Sequence, residues 1–282
     1  MQELRGMPVV KGIAGQAAGR IEELGKAGVV PTLAVVRVGE REDDLSYERG
    51  VTKRFDSVGA RIVNRVLPGD ATMEDLEAVI RECNEDESIH GVLMFRPLPK
   101  HLDEKKIISL LDPKKDMDCM CLENTAHTFM QDGQGYEPCT PRAVMELLDF
   151  YGVDLTGKNV VVVGRSMVVG KPLAMMLLAA NATVTVCHTK TVDLKEKCRA
   201  ADIVCACAGV ARMLDADYIK EGAVVIDVGI NVVDGKLCGD VDYESIADKA
   251  AAATPVPGGV GSVTTSVLLK NVIKSAEKTV QR

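Results

Sequence analysis

The sequence predicts an α/β protein with parallel sheets, organised as two domains, and three observations carry that prediction. Short apolar runs alternate with amphipathic stretches along most of the chain, as strands joined by helical crossovers do. A length of 282 residues suits two domains of ordinary size. With 46% hydrophobic residues but only 3% aromatic and no Trp, the interior must be built from aliphatic side chains, as in the Val/Ile-rich strands of buried parallel sheets.

Taken in order, 32–38 (TLAVVRV) predicts a buried strand ended by Gly39, and 43–58 a helix that Gly59 terminates. A strand is expected over 61–67 (RIVNRVL), a helix with early acids over 73–83, and a strand over 91–95 (GVLMF) closed by Pro97 and Pro99. The stretch 112–141, rich in Pro, Gly, Asn, Asp and Cys, reads as a long functional loop and as the join between domains. Beyond it follow a helix over 142–150, a strand over 159–163 (NVVVV), a helix over 171–180 and a strand over 182–187 (ATVTVC). Further strands are expected at 203–207 and 223–228, then a Gly/Pro-rich turn at 254–261 (TPVPGGVG) and a last helix over 264–279. The first domain is thus 1–141, completed by the C-terminal helix 264–282, and the second is 142–263.

A net charge of −7 with acids and bases interspersed offers no basic stripe for a phosphate backbone, which argues against nucleic acid as a partner. The chain has no apolar run of transmembrane length and no leader-like start, so it reads as cytoplasmic and free of membrane. Nine scattered cysteines, three of them (Cys187, Cys205 and Cys207) inside apolar strands, read as reduced structural thiols. Cys119 and Cys121 lack a second pair at zinc spacing, so no metal is expected.

The strand Val160–Val163 runs into Gly164-Arg165-Ser166-Met167-Val168-Val169-Gly170, and a helix opens with Pro172 in its first turn. This is the outline of a dinucleotide-binding turn. Gly164 lets the chain reverse, Gly170 lets helix and strand pack closely, and the helix N-terminus attracts a pyrophosphate. The spacing differs from G-x-G-x-x-G, so the turn alone is a weak signal. At the end of the next strand, where an acid would hold the ribose of NAD, the chain reads His188-Thr189-Lys190. Arg165, Thr189 and Lys190 offer donors and positive charge to a 2′-phosphate, favouring NADP, while His188 shapes the strand end.

The runs GRSMVVGKP, ATVTVCHTKT, VVIDVGIN and TPVPGGVG, in that order and at these intervals, resemble the methylenetetrahydrofolate dehydrogenase/cyclohydrolase family. Tyr47, KDMD (115–118) and PCTPR (138–142) extend the similarity over nearly the whole chain. The resemblance implies two α/β domains facing across a cleft, the second a Rossmann-type doubly wound sheet, and a homodimer formed through the nucleotide domain. It implies a folate substrate on the first domain and NADP on the second. By position, Gly164, Arg165, Ser166, Val169, His188 and Thr189 match cofactor contacts, and Cys207, Ala208, Gly209 and Ile230 line the dinucleotide path. Tyr47 and Asp118 match the catalytic positions, Asp118 as the carboxylate that holds the pterin ring. Phe95, Pro97, Leu98, Pro257, Gly258 and Gly259 match the remaining folate contacts.

Bifunctional members carry Tyr-x-x-x-Lys, which places both side chains on one helix face. Here Val51 follows Tyr47 at that spacing, and Lys53 lies roughly 120° round the helix. The family's V-Q-L-P-L-P reads Met94-Phe95-Arg96-Pro97-Leu98-Pro99, and Asp118 is followed by Cys119-Met120-Cys121 in place of Gly-Phe-His. The expectation is therefore oxidation of the methylene bridge with cyclohydrolase activity absent or weak. The competing readings are a fully bifunctional enzyme, a non-catalytic folate or nucleotide sensor and, from fold analogy alone, a dehydrogenase of small hydroxy acids.

Overall fold

A computed structural model describes residues 1–280; the expected helix over 264–282 therefore has its last two positions, 281 and 282, outside the described residues. The elements, in chain order, are β1 (Gln2–Glu3), α1 (Gly6–Lys26), β2 (Thr32–Val38), α2 (Glu42–Asp56), β3 (Arg61–Leu67), α3 (Met73–Glu85), β4 (Gly91–Met94), α4 (Glu104–Leu110), α5 (Leu122–Met130) and α6 (Cys139–Phe150). They continue with β5 (Asn159–Val163), α7 (Gly170–Ala179), β6 (Thr183–Cys187), α8 (Leu194–Ala200), β7 (Ile203–Ala206), β8 (Val224–Asp227), β9 (Asn231–Val233), β10 (Lys236–Cys238), β11 (Ala252–Ala253) and α9 (Thr264–Val280). Each of the longer strands that the sequence predicts forms, to within a residue or two at its ends.

The chain divides into two compact α/β units. One contains Gly12–His127, Gly133–Glu137 and the chain from Thr265 on. Its sheet is parallel throughout, in the order β3-β2-β4. Every residue of the central strand β2 is buried, which is why its sequence is an apolar run rather than an alternation. The one exception in that run, Arg37, is paired with Glu48 of α2 at 2.9 Å. The core packs Ala34, Val36, Val92 and Met94 of the sheet with Leu76 and Ile80 of α3. Thr72 caps α3, its hydroxyl accepting the Asp75 amide while the Asp75 carboxylate accepts the Thr72 amide.

The other unit contains Met1–Lys11, Thr128–Asp132 and Pro138–Thr264. Its six-stranded sheet has the order β1-β11-β8-β7-β5-β6, all pairs parallel. The chain moves from β5 to one neighbour, β6, and then returns to the other, β7, so the topological switch lies beside the end of β5. Val161, Val163, Val204 and Val225 form the core with Cys198, Leu214 and Ile246.

The units depart from the expected join at 141/142. The first residues add to the edge of the six-stranded sheet, because β1 pairs with β11 in register Gln2↔Ala252. The expected loop over 112–141 also contains a helix, α5, and the start of α6. Helix α1 carries little signal in the sequence: its buried stripe, Val9, Val10, Ile13 and Ala17, is diluted by Gly15 and Gly19 in its interior. The antiparallel ribbon β9–β10 was likewise not anticipated. No described helix is long and apolar enough to cross a membrane.

Candidate active site

The turn after β5 is fixed by contacts too close for side chains. Gly164 has φ of +132°, and a Cβ there would run into the carbonyl oxygen of Cys207. A Cβ on Gly170 would strike the carbonyl oxygen of Gly164. The Ser166 hydroxyl accepts the Val169 amide at 3.0 Å, closing the turn ahead of α7. Arg165 and Ser166 are exposed and Val169 is half-buried. Exposed donors, a backbone cradle and a helix N-terminus therefore meet at the sheet's switch point, the arrangement that receives a dinucleotide phosphate.

Neighbouring strand ends complete this edge. His188 Nδ1 accepts the Lys190 amide at 3.1 Å and the His188 amide donates to the Thr191 hydroxyl, so the imidazole shapes the turn after β6. Thr189 and Lys190 stay exposed. Cys207 follows β7, and its amide donates to Val163 of β5 at 2.8 Å. Burial pushes the Cys207 thiol well above its ordinary range, as it does the Cys205 thiol, raised to about 12, so both act as small apolar groups. Ala208, Gly209 and Ile230 lie on the turns after β7 and β8, Ile230 being 66% exposed. Pro257, Gly258 and Gly259 form the turn after β11, where the Gly6 amide donates to the Gly258 carbonyl at 2.8 Å.

A buried acid pair that no sequence motif marks, Asp227 and Asp240, also lies at this edge. Asp227 ends β8 and accepts the amides of Gly229, Asp240 and Val241. Burial, against these hydrogen bonds, raises its carboxyl to about 6. Two glycines pack against the pair: a Cβ on Gly229 would run into Asp240, and one on Gly239 into Asp227.

In the other unit, α2 follows β2 and sets one face inward through Asp44, Val51 and Phe55, all buried, with Tyr47 half-buried on the same stripe. The Tyr47 ring meets Phe95 edge-to-face, centroids 5.9 Å apart, just beyond the end of β4. The next residues, Pro97 and Leu98, lie on a segment tied down by Arg41, which donates to the carbonyls of Arg96 and Pro97 and pairs with Asp44. Arg96 pairs with Glu104 at 3.6 Å. Val51 is 0% exposed, whereas Lys53 is exposed and lines a shallow groove with Leu45, Arg49 and Asp56.

The four residues KDMD divide their work. Lys115 Nζ donates to the carbonyls of Cys83, Asn84 and Asp86, capping α3. Asp116, fully buried, accepts the amides of Met120 and Cys121 and the side chain of Asn124. The Met117 amide reaches the Val92 carbonyl of β4. Asp118, half-buried, comes next, before Cys119 turns the chain at φ of +57°. Among the described residues no group of His, Cys, Asp and Glu is arranged to hold a metal ion.

Two family models match the chain. The catalytic domain of tetrahydrofolate dehydrogenase/cyclohydrolase matches residues 4–118, and the NAD(P)-binding domain of the same family matches 138–280. The bifunctional protein FolD of Carboxydothermus hydrogenoformans is 49% identical over 279 residues, covering 98% of this chain and 97% of its own length. The crystal structure of the bifunctional FolD enzyme of Campylobacter jejuni superposes with a TM-score of 0.96 at 38% identity, covering 99% of each chain. The methylenetetrahydrofolate dehydrogenase-cyclohydrolase of Trypanosoma brucei, solved with NADP and an inhibitor, gives 0.93 at 37% identity over 99% of this chain and 98% of that one. Each of these three proteins carries both activities in its name.

Proposed function

The chain belongs to the tetrahydrofolate dehydrogenase/cyclohydrolase family, and from that premise we propose that it oxidises 5,10-methylenetetrahydrofolate to the 5,10-methenyl form, passing a hydride to NADP. The observation that carries this reading is the turn Gly164–Gly170, a backbone cradle with no room for a Cβ, beside a strand end that offers Thr189 and Lys190 in place of an acid. Gly164, Ser166 and Val169 would hold the pyrophosphate over the start of α7. Arg165 and Thr189 would hold the 2′-phosphate, with His188 fixing the turn that presents Thr189. Cys207, Ala208, Gly209 and Ile230 would line the path to the nicotinamide. When bound, NADP supplies the hydride acceptor.

On the folate side, Asp118 would hold the pterin ring, and Tyr47, Phe95, Pro97 and Leu98 would pack against the substrate. By the family resemblance, Pro257, Gly258 and Gly259 would supply further folate contacts. Hydride loss from the methylene carbon is driven by the lone pair of the folate nitrogen, so the protein chiefly has to align donor and acceptor. No proton moves in that step.

Hydrolysis of the methenyl product asks for more. Water must add to the one-carbon unit and lose a proton, and a proton must reach the nitrogen as its bond to that carbon breaks. A Lys one turn after Tyr47, with a Gln near it, suits that work; Val51 and Phe95 cannot exchange a proton. The comparisons support retained hydrolysis better, through the names of the relatives. The buried Val51 supports the opposite reading, which we adopt: cyclohydrolase activity is absent or slow. The resemblance also implies a homodimer through the nucleotide unit, and exposed Val232 and Leu237 on the β9–β10 ribbon are apolar surface that pairing would cover.

The test is to measure initial rates of methylenetetrahydrofolate oxidation with NADP and with NAD, and enzyme-dependent decay of added methenyltetrahydrofolate. We expect oxidation with NADP preferred, and decay at the uncatalysed rate. Absence of oxidation with either nucleotide would overturn the first claim, and decay as fast as oxidation the second.

A further inference from the structure

The acid pair Asp227–Asp240 ties together three turns at the C-terminal edge of the six-stranded sheet. Asp240 is fully buried. One of its carboxylate oxygens accepts the amides of both Ala208, at 2.6 Å, and Gly209, at 2.8 Å, on the turn after β7. The other oxygen accepts Asn231 Nδ2 at 2.9 Å, from the first residue of β9 just past the turn after β8. Asp240 is itself held from behind, because its own amide and that of Val241 donate to the two oxygens of Asp227. Asp227 is held in turn: its amide donates to the Thr254 hydroxyl at 2.7 Å, at the start of the turn that carries Pro257–Gly259.

We propose that Asp240 is a positioning residue for the dinucleotide: it takes up the two amides after β7 and the Asn231 side chain, fixing the turns 207–209 and 228–231 in the shape that receives the nicotinamide end. The inference rests on the reading of those turns as dinucleotide contacts. Three features argue that this is its work rather than general core stability. Both amides it accepts belong to residues at the end of a strand beside the topological switch, where ligands bind. With those N–H groups consumed, the turn meets a ligand through its carbonyls and the Cys207 and Ala208 side chains. And the pair leaves no space to shift, since a Cβ at Gly229 or Gly239 would collide with a carboxylate of the pair. A carboxylate holding several N–H donors is a strong, geometrically exact anchor in a low-dielectric site.

The experiment compares the full-length protein with Asp240→Asn and Asn231→Ala. Read-outs are NADP affinity by calorimetry, steady-state KM and kcat, and the backbone amide signals of Ala208 and Gly209 by NMR. In Asp240→Asn we expect the NADP dissociation constant and KM to rise about tenfold, with kcat at saturating NADP changed less than about threefold and the folate KM unchanged. The two amides, deshielded in the wild type by a charged acceptor, should move upfield. Asn231→Ala, which leaves Asp240 in place, should weaken NADP about threefold with melting temperature preserved, and it keeps the test open if Asp240→Asn does not fold. Unchanged NADP affinity in either folded variant overturns the proposal. If instead the wild type binds no NADP, it is the functional reading that fails.

Discussion

The turn after β5 and the inner face of α2 occupy equivalent places, each just beyond the C-terminal end of a parallel strand flanked on both sides, yet the functions proposed for them are encoded differently. At the turn, function lies in the backbone: Gly164 and Gly170 are required because other main-chain atoms occupy the space of their missing Cβ. On α2, function lies in side chains: Tyr47 is backed by Phe95 and followed one turn later by Val51, which packs into the core without disturbing the helix. A backbone-coded site cannot be changed without refolding the turn. A side-chain-coded site can lose one chemical step while the fold stands, and that asymmetry is the reason to separate hydride transfer from hydrolysis in this chain.

The sharpest way to break the comparison is to rewrite the side-chain-coded region. Val51→Lys with Phe95→Gln should raise the enzyme-dependent rate of methenyltetrahydrofolate decay by roughly 100-fold or more, the range of a positioned acid-base group. Oxidation should change far less, and stability should fall because a lysine would enter a site that is 0% exposed in the wild type. An unaltered decay rate in a folded double variant would mean that these two positions alone do not account for the absence of hydrolysis we propose.

The matching change in the backbone-coded region is Gly164→Ala. It places a Cβ against the Cys207 carbonyl at a φ of +132°, so we expect a loss of roughly 3 kcal/mol in stability together with NADP binding, read by thermal melting and calorimetry. A variant that melts and binds like the wild type would show the turn to be less constrained than its contacts say.

Asp227 gives a pH test of the same edge. Its carboxyl is raised to about 6, above an unfolded value of about 3.9. Its contribution to stability is therefore full below about pH 4 and lost as pH rises through about 6, on the order of 3 kcal/mol in all. His90, whose burial lowers its pKa below the ordinary imidazole range, contributes with the opposite sign, so the wild type alone is not diagnostic. The difference in unfolding free energy between wild type and Asp227→Asn should slope with pH between 4 and 6; a flat difference would count against the raised carboxyl.

The smallest effect expected is at the cap of α3. Thr72→Ala removes the hydroxyl that accepts the Asp75 amide and should cost about 1 kcal/mol in denaturant unfolding while leaving the oxidation rate alone. A change in the oxidation rate would tie α3 to the site.

Legibility in the sequence followed the same division. The long strands of both sheets were readable because buried parallel strands must be continuous apolar runs, as 32–38 and 159–163 are. The tight turn after β5 was readable because glycine is forced where Gly164 and Gly170 meet other main-chain atoms. Helix α1 was hidden because glycines interrupt its stripe, and β1 and β11 because two-residue strands carry no periodicity. The Asp227–Asp240 pair was hidden for a different reason: its partners are backbone amides on distant turns, and no sequence spacing announces a contact between residues 208 and 240.

The proposed absence of hydrolysis is tested by how far the one-carbon unit travels after giving up its hydride. In one cuvette containing methylenetetrahydrofolate and NADP, NADPH and methenyltetrahydrofolate should accumulate one for one, once the uncatalysed decay measured without enzyme is subtracted. Methenyltetrahydrofolate lagging behind NADPH by an amount that grows with enzyme concentration would contradict it.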